Sequence, residues 1–285
     1  MVDAVTNFCH EQGSKGVALD EEHGDLTCIT AYFPLEKWDA VYDRLRKYLS
    51  ALHEIFSGLP VPVVETSPLQ NENWALTWKA HFKSIKIGKR LIITPPWLRP
   101  RNRERAVIII EPAEAFGTGT HETTRGCLIL LEEALEELKK SNDRPALLDV
   151  GCGSGILGIA GIKLGADPVT AVDNDPIAVE AAAKNARLNK VHDKLKLRCA
   201  SLKELDGQYD IVIANLDPMT LAANRDKLVS LSGRYLIVSG VPQDQWDGIK
   251  DLFLEQGLFL ERERRESEWG CGMFARESVK TRHPL

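Results

Sequence analysis

Leu147-Leu148-Asp149-Val150-Gly151-Cys152-Gly153-Ser154-Gly155 is the stretch from which the rest of the chain can be read. Three apolar residues around one acid, then glycine at every second position, predict a buried strand breaking into a tight turn. The apolar run Ile156 to Leu164 predicts a helix starting at once. Glycines there let the backbone pass close to a ligand, and a helix N-terminus offers N–H groups to an anion. Such a turn alone suits many α/β domains, so the next segment decides. Val169-Thr170-Ala171-Val172-Asp173 reads as a second strand ending in an acid. Asn174-Asp175-Pro176 then supplies an N-cap with proline at the first helical position.

Asp173 follows the glycines by about 20 residues, the spacing at which a carboxylate meets a ribose. Two ribose-bearing ligand classes remain. Gly153-x-Gly155-x-x-Gly158 matches the dinucleotide fingerprint. The strand ends at Val150, however, so the turn begins at Gly151 and its frame is GxGxG. Ile156 then stands where the dinucleotide pattern needs glycine, and no pyrophosphate is demanded.

The composition is that of an ordinary folded protein: 285 residues, 44% hydrophobic and 27% charged. A net charge of −5 speaks against a nucleic-acid binder that uses its whole surface. Six cysteines (Cys9, Cys28, Cys127, Cys152, Cys199, Cys271) are scattered without a CxxC pair or clustered histidines. That pattern predicts reduced thiols and no metal site. No apolar run reaches membrane-spanning length, and the first thirty residues lack a signal core, so the expectation is a cytoplasmic protein.

Residues 1–68 read as a small α+β unit: a helix from Ala4 to Gln12, strands Gly16–Leu19 and Leu26–Tyr32, a helix from Leu35 to Phe56 and a strand Val61–Glu65. This is the order of a ferredoxin-like βαββαβ unit without its first strand, and it is expected to handle substrate. Residues 69–110 read as a connector that closes in a strand at Val107–Ile110. Trp74 and Trp78 share one face if that stretch is helical. From Lys79 to Arg105, nine basic residues (Lys79, Lys83, Lys86, Lys89, Arg90, Arg99, Arg101, Arg103, Arg105) meet a single acid, Glu104. The block suits either a solvated linker or a docking surface for an RNA-rich or acidic partner such as rRNA.

Residues 111–285 read as the ligand-binding domain. The segment Glu111 to Thr124 is a polar, glycine-broken loop before a helix from Arg125 to Leu138. Its threonines and histidine suit a lid or cofactor wall, although Thr120 or Thr123 could simply cap that helix. Further strands are expected at Lys194–Arg198, Tyr209–Asn215 and Arg234–Ser239. Helices are expected at Ile177–Leu188, Leu221–Leu231 and Gln243–Gln256, and a hairpin at Leu258–Arg265 and Trp269–Arg276. The fold class is α/β, with a seven-stranded sheet mixed only at one edge. Asn215 ends a strand at the edge where open α/β sheets place ligands.

The strings NWALTWKAHF, IGKRLIITPPW, EPAEAFGTGTHETTRGCLILLE and LLDVGCGSGILGIAGIKLGA, in that order, resemble the ribosomal protein L-eleven (L11) methyltransferase family, PrmA. The likeness spans residues 15 to 270 and rests most on AFGTGTH-x-TT. It implies a class I, Rossmann-like, S-adenosylmethionine-dependent enzyme with an N-terminal substrate-recognition domain and a flexible linker. It implies a monomer whose partner is ribosomal protein L11 and whose acceptors are lysine ε-amines or the terminal α-amine. Cofactor contacts implied on this chain are Phe116, Thr124, Asp149 near the methionine end, Gly151, Gly153, Asp173 on the ribose, and Asn215. The catalytic assignments are Asn215, aiming the acceptor lone pair, and Asp217, capturing a cationic substrate. Two segments depart from the family pattern. Glu111-Pro112-Ala113-Glu114 stands where Asp-Pro-Gly is usual, and Asn215-Leu216-Asp217-Pro218 where Asn-Ile-Leu-Ala is usual. The alternatives are a related methyltransferase acting on another protein or a small molecule, and a binding module without catalysis. A nicotinamide oxidoreductase is disfavoured by the glycine frame.

Overall fold

The computed structural model describes residues 2–20, 28–56, 62–67, 83–98, 100, 102, 104–111, 121–141 and 144–276. The chain divides into two compact units, residues 1–78 and 79–285.

In the first unit, helix α1 (Val2–Glu11) precedes strands β1 (Gly16–Asp20) and β2 (Cys28–Tyr32), followed by helix α2 (Trp38–Ile55). The strands pair antiparallel, with Gly16 opposite Tyr32 and Asp20 opposite Cys28. Val41, Leu45, Leu49 and Leu52 of α2 are buried, a stripe at three- and four-residue spacing that puts one helix face inside. Phe8 stacks on Tyr48 at 4.4 Å. The strand expected at Val61–Glu65 is absent from the described residues 62–67. Pro62 has no N–H to give a ladder, and Val63 is 84% exposed, so the apolar pattern there finds no face to bury. The described strands form a two-stranded sheet, and a ferredoxin-like arrangement is not established.

The second unit begins inside the expected connector. Strands β3 (Ile85–Ile87), β4 (Leu91–Thr94) and β5 (Ala106–Ile109) form a three-stranded sheet. β3 and β4 pair antiparallel, and β4 and β5 parallel. β5 answers the strand expected at Val107–Ile110, whereas the basic residues conceal β3 and β4 in the sequence. Ile87, Leu91, Ile92, Ile93 and Ile108 are buried between charges that face water. Trp74, Trp78, Lys79, Arg99, Arg101 and Arg103 lie outside the described residues.

The main sheet contains β6 (Leu147–Val150), β7 (Val169–Asp173), β8 (Leu195–Cys199), β9 (Tyr209–Asn215), β10 (Ser232–Pro242), β11 (Phe259–Glu266) and β12 (Trp269–Ala275). Their order is β11-β12-β10-β9-β6-β7-β8. The strands β8, β7, β6, β9 and β10 are parallel, and β12 runs against both of its neighbours. The sheet is thus seven-stranded and mixed at one edge.

Helices α3 (Glu122–Leu138), α4 (Ile156–Leu164) and α5 (Pro176–Leu188) share one hydrophobic core; α6 (Pro218–Leu231) and α7 (Gln243–Glu255) share another. β9 shows why: Ile211 and Ile213 belong to the first core, Val212 and Ala214 to the second. A strand's side chains alternate, so an unbroken apolar run feeds both faces. From β6 the chain moves one way to β7 and β8, then returns to β9 on the other side. That reversal is the switch point at which such sheets leave a crevice at their carboxyl ends.

Candidate active site

Gly151, Gly153 and Gly155 all have positive φ, at 65°, 50° and 76°. A left-handed backbone at alternate residues is why glycine recurs with that period, since a Cβ there is strained. Gly155 is the N-cap of α4 with no side-chain capping bond, and a Cβ on it would lie 2.9 Å from the Ala182 Cβ of α5. Gly158 lies inside the helix, with a virtual Cβ 3.0 Å from Leu195. It serves packing, which agrees with the GxGxG frame.

The cap of α4 comes from below. The Gly158 N–H donates to Asp149 Oδ2 at 2.8 Å, and Asp149 is 0% exposed. Burial pushes its carboxyl up to about 7; the Gly158 bond opposes that rise and the charge of Asp173 adds to it. Its Oδ1 is buried and has no hydrogen-bond partner. Asp173 braces the same turn, accepting from Gly153 N at 2.9 Å and from Asp175 N at 3.1 Å. An ionised carboxylate has further lone pairs, so Asp173 keeps capacity for a ribose hydroxyl pair.

His121 caps α3, where the sequence offered Thr120 or Thr123. Thr123 N–H donates to His121 Nδ1 at 3.3 Å. Because Nδ1 accepts there, the Thr123 hydroxyl 2.8 Å away donates to it and in turn accepts from Asn215 Nδ2 at 3.3 Å. This chain leaves Asn215 Oδ1 buried without a partner. Thr124 Oγ1 is likewise buried and unpartnered. The His121 ring meets Trp269 edge-on, with centroids 5.0 Å apart. Nothing in the sequence singled out Trp269, because its meeting with His121 is purely tertiary.

Asp217 has a local task. It is the N-cap of α6, accepting from Thr220 N at 2.9 Å and from the Thr220 hydroxyl at 2.6 Å. Those bonds, the hydroxyl's first, hold its carboxyl below the usual range. The Asp217-Pro218 departure from the family pattern is thus a helix start with its own cap and proline at the first position. Leu216 N donates to Ser239 O at 3.1 Å, which ties the segment after Asn215 to β10.

The buried thiols near the turn stay protonated. Cys152 is raised by burial, and Cys127 is raised most by its contact with Cys271 and then by burial. Among the described residues no group of three or more His, Cys, Asp or Glu is placed to hold a metal ion. No helix among them is long and apolar enough to cross a membrane. Phe116 lies outside the described residues.

Three buried oxygens without partners (Thr124 Oγ1, Asp149 Oδ1, Asn215 Oδ1) therefore accompany a turn whose backbone admits close approach. Each such atom costs free energy until it is paired, so the arrangement fits a polar ligand carrying positive charge. S-adenosylmethionine, with its ribose, ammonium and sulfonium, has those properties.

Comparison with known proteins points the same way. Residues 1–277 match the family model described as ribosomal protein L11 methyltransferase (PrmA). The chain is 37% identical to a protein of that name from Pelobacter propionicus, over 97% of this chain and 94% of the relative. It is 39% identical to another from Trichlorobacter lovleyi, over 86% and 81%. A crystal structure of ribosomal protein L11 methylase from Lactobacillus delbrueckii subsp. bulgaricus superposes with a TM-score of 0.61 at 29% identity, covering 69% of this chain and all of that one. On the match along 277 residues and on these relatives, the chain belongs to the ribosomal protein L11 methyltransferase family.

Proposed function

We propose that this enzyme transfers methyl groups from S-adenosylmethionine to amino groups of ribosomal protein L11, the lysine ε-amines or the terminal α-amine. The observation that supports the reading most is the set of unpartnered buried oxygens beside the glycine turn. Bound S-adenosylmethionine supplies a sulfonium-activated methyl group that moves in a single in-line displacement. The chain's own residues then have to position and desolvate. Gly151, Gly153 and Gly155 leave room for the cofactor backbone, Asp173 receives the ribose, and Thr124 and Asp149 serve the methionine end.

The acceptor nitrogen must be neutral. A free lysine amine of pKa near 10.4 is neutral about once in 2500 at pH 7, a cost of roughly 4–5 kcal/mol. The positive charge of the cofactor and the burial of Thr123 and Thr124 both lower that cost. Asn215 Oδ1, fixed through Thr123 and His121, accepts one acceptor N–H and so aims the lone pair without removing a proton. His121 and Trp269 form an aromatic wall beside it. We assign Asp217 to the shape of the α6 turn and, through its exposed charge, to attraction of a cationic substrate.

Exposed Lys83, Lys86 and Lys89 in the three-stranded region are the described part of a basic surface for RNA near the substrate. Arg105 is held by the sheet itself, donating to Gly88 O at 2.8 Å and Leu91 O at 3.3 Å. The enzyme works as a monomer in the cytoplasm on this reading.

The test is transfer of labelled methyl to unmethylated L11, with peptide mass spectrometry to place it. Label on lysines or the amino terminus is expected. Tight cofactor binding without label would move the acceptor to another protein or a small molecule, which the altered 215–218 segment makes the second reading. Asn215→Ala is expected to lower kcat about 100-fold if Asn215 acts on the acceptor, with a smaller loss of cofactor affinity.

A further inference from the structure

Helix α5 buries Asn185 at 2% exposure, and its C-cap Asn189, one turn further on, is buried at 6%. Its other fully buried positions are alanines, so each amide stands where an apolar side chain would serve packing better. Buried amides persist only if their donors and acceptors are used, and both are. Asn189 Oδ1 accepts from Ile109 N at 2.9 Å, while its Nδ2 donates to Ile109 O at 2.6 Å and to Asn185 O at 2.9 Å. Its amide thereby replaces the neighbouring peptide that β5 lacks at the sheet's outer edge.

Asn185 does something different with the same group. Oδ1 accepts from Glu111 N at 3.0 Å, and Nδ2 donates to Ser154 O at 2.9 Å. Ser154 lies inside the glycine turn, between two residues of positive φ. Glu111 is where the chain leaves β5 on its way to the His121-capped helix that carries Thr123 and Thr124. Lys184, one residue before Asn185, pairs with the Glu111 carboxylate at the same point. One side chain thus ties the glycine turn to the chain just past β5.

We infer that Asn185 is a positioning residue for the cofactor site, holding the Ser154 peptide and the Glu111 strand end in register. The inference rests on the reading of the glycine turn as the cofactor cradle. Only an amide of this length both donates and accepts between those two backbone groups; a hydroxyl is too short to span them, and a carboxylate would meet the Ser154 carbonyl acceptor to acceptor.

The experiment compares Asn185→Ala with Asn189→Ala in the full chain. It measures thermal stability without ligand and S-adenosylmethionine Kd by calorimetry, corrected to the folded fraction. Both variants lose buried hydrogen bonds and are expected to melt at lower temperature than the wild type. Only Asn185→Ala should also weaken binding, by about tenfold, with Asn189→Ala within about twofold of wild type. In turnover the Asn185 effect should fall on the cofactor KM and leave kcat within about twofold. If Asn185→Ala does not fold, Asn185→Ser, which leaves a hydroxyl in the space, is expected to fold and still bind more weakly than wild type. Equal Kd for wild type and the Asn185 variant, or equal weakening at both positions, overturns the positioning role while leaving the cofactor reading intact. A wild-type protein that does not bind S-adenosylmethionine overturns the cofactor reading and the role together.

Discussion

Asp217 caps helix α6 from an exposed position, and Asp149 caps helix α4 from the interior of the main sheet. Both accept a backbone N–H at the third residue of a helix, at 2.9 and 2.8 Å. Their acidities move in opposite directions: Asp217 falls below the usual range, and Asp149 is pushed up to about 7. The difference is water. Asp217 gains a second donor from the Thr220 hydroxyl and keeps its solvation, whereas Asp149 has lost all of it and one oxygen has found no partner. A cap that costs that much is consistent with a group placed for a cationic ligand and not for the helix alone.

The largest effect that would sharpen this contrast is in pH. Between the unfolded aspartate pKa of about 3.9 and about 7, folded Asp149 keeps a proton that the unfolded chain has released, so ligand-free stability falls as pH rises through that window. The whole shift amounts to up to roughly 4 kcal/mol. Asp149→Asn removes the ionisation, so the melting-temperature difference between variant and wild type should grow in the variant's favour from pH 5 to 8. A difference that stays flat would mean that Asp149 is ionised at low cost. The same variant should bind S-adenosylmethionine more weakly.

Gly155→Ala comes next. It forces a Cβ into a left-handed residue and against Ala182, and a loss of about 2–3 kcal/mol is expected in denaturant unfolding. Asp217→Ala is the mildest: loss of an exposed cap should cost about 1 kcal/mol. Its pH dependence has the opposite sign to that of Asp149. The depressed pKa makes the contribution present above about 3.9 and lost as pH falls through the lower folded value. If Asp217→Ala reduces L11 methylation well beyond that stability loss, Asp217 acts on the substrate as well as on the helix.

The two aspartates also divide what could be read in advance. Asp175-Pro176 was legible as a helix start because a cap and a proline are local signals, and Asp175 indeed caps α5 through Ile177 N at 2.8 Å. Asp217-Pro218 carries the same signal, and the helix begins there, three residues before the expected start at Leu221. The capping of α4 by Asp149 could not be read, because Asp149 and Gly158 belong to different elements that only packing brings together.

Misreadings follow the same line. Residues 69–110 read as a connector closing in one strand, because charge dominates their composition, while the apolar residues of β3 and β4 come in short runs. Val61–Glu65 reads as a strand because valine favours extended backbone, yet propensity cannot say whether a partner strand is there to receive it.

By itself the sequence determined the alternation of strands and helices in residues 147–276, the glycine frame of the turn and the acid that braces it. Each of these follows from period, φ preference or short spacing, which are properties of neighbouring residues. Tertiary structure alone decided the protonation bias of Asp149, the Asn215–Thr123–His121 chain, the meeting of His121 with Trp269, and the tie of Asn185 to Ser154 and Glu111. Burial and hydrogen bonding between residues distant in sequence create these features, and no local pattern encodes which distant groups will share a dry interior.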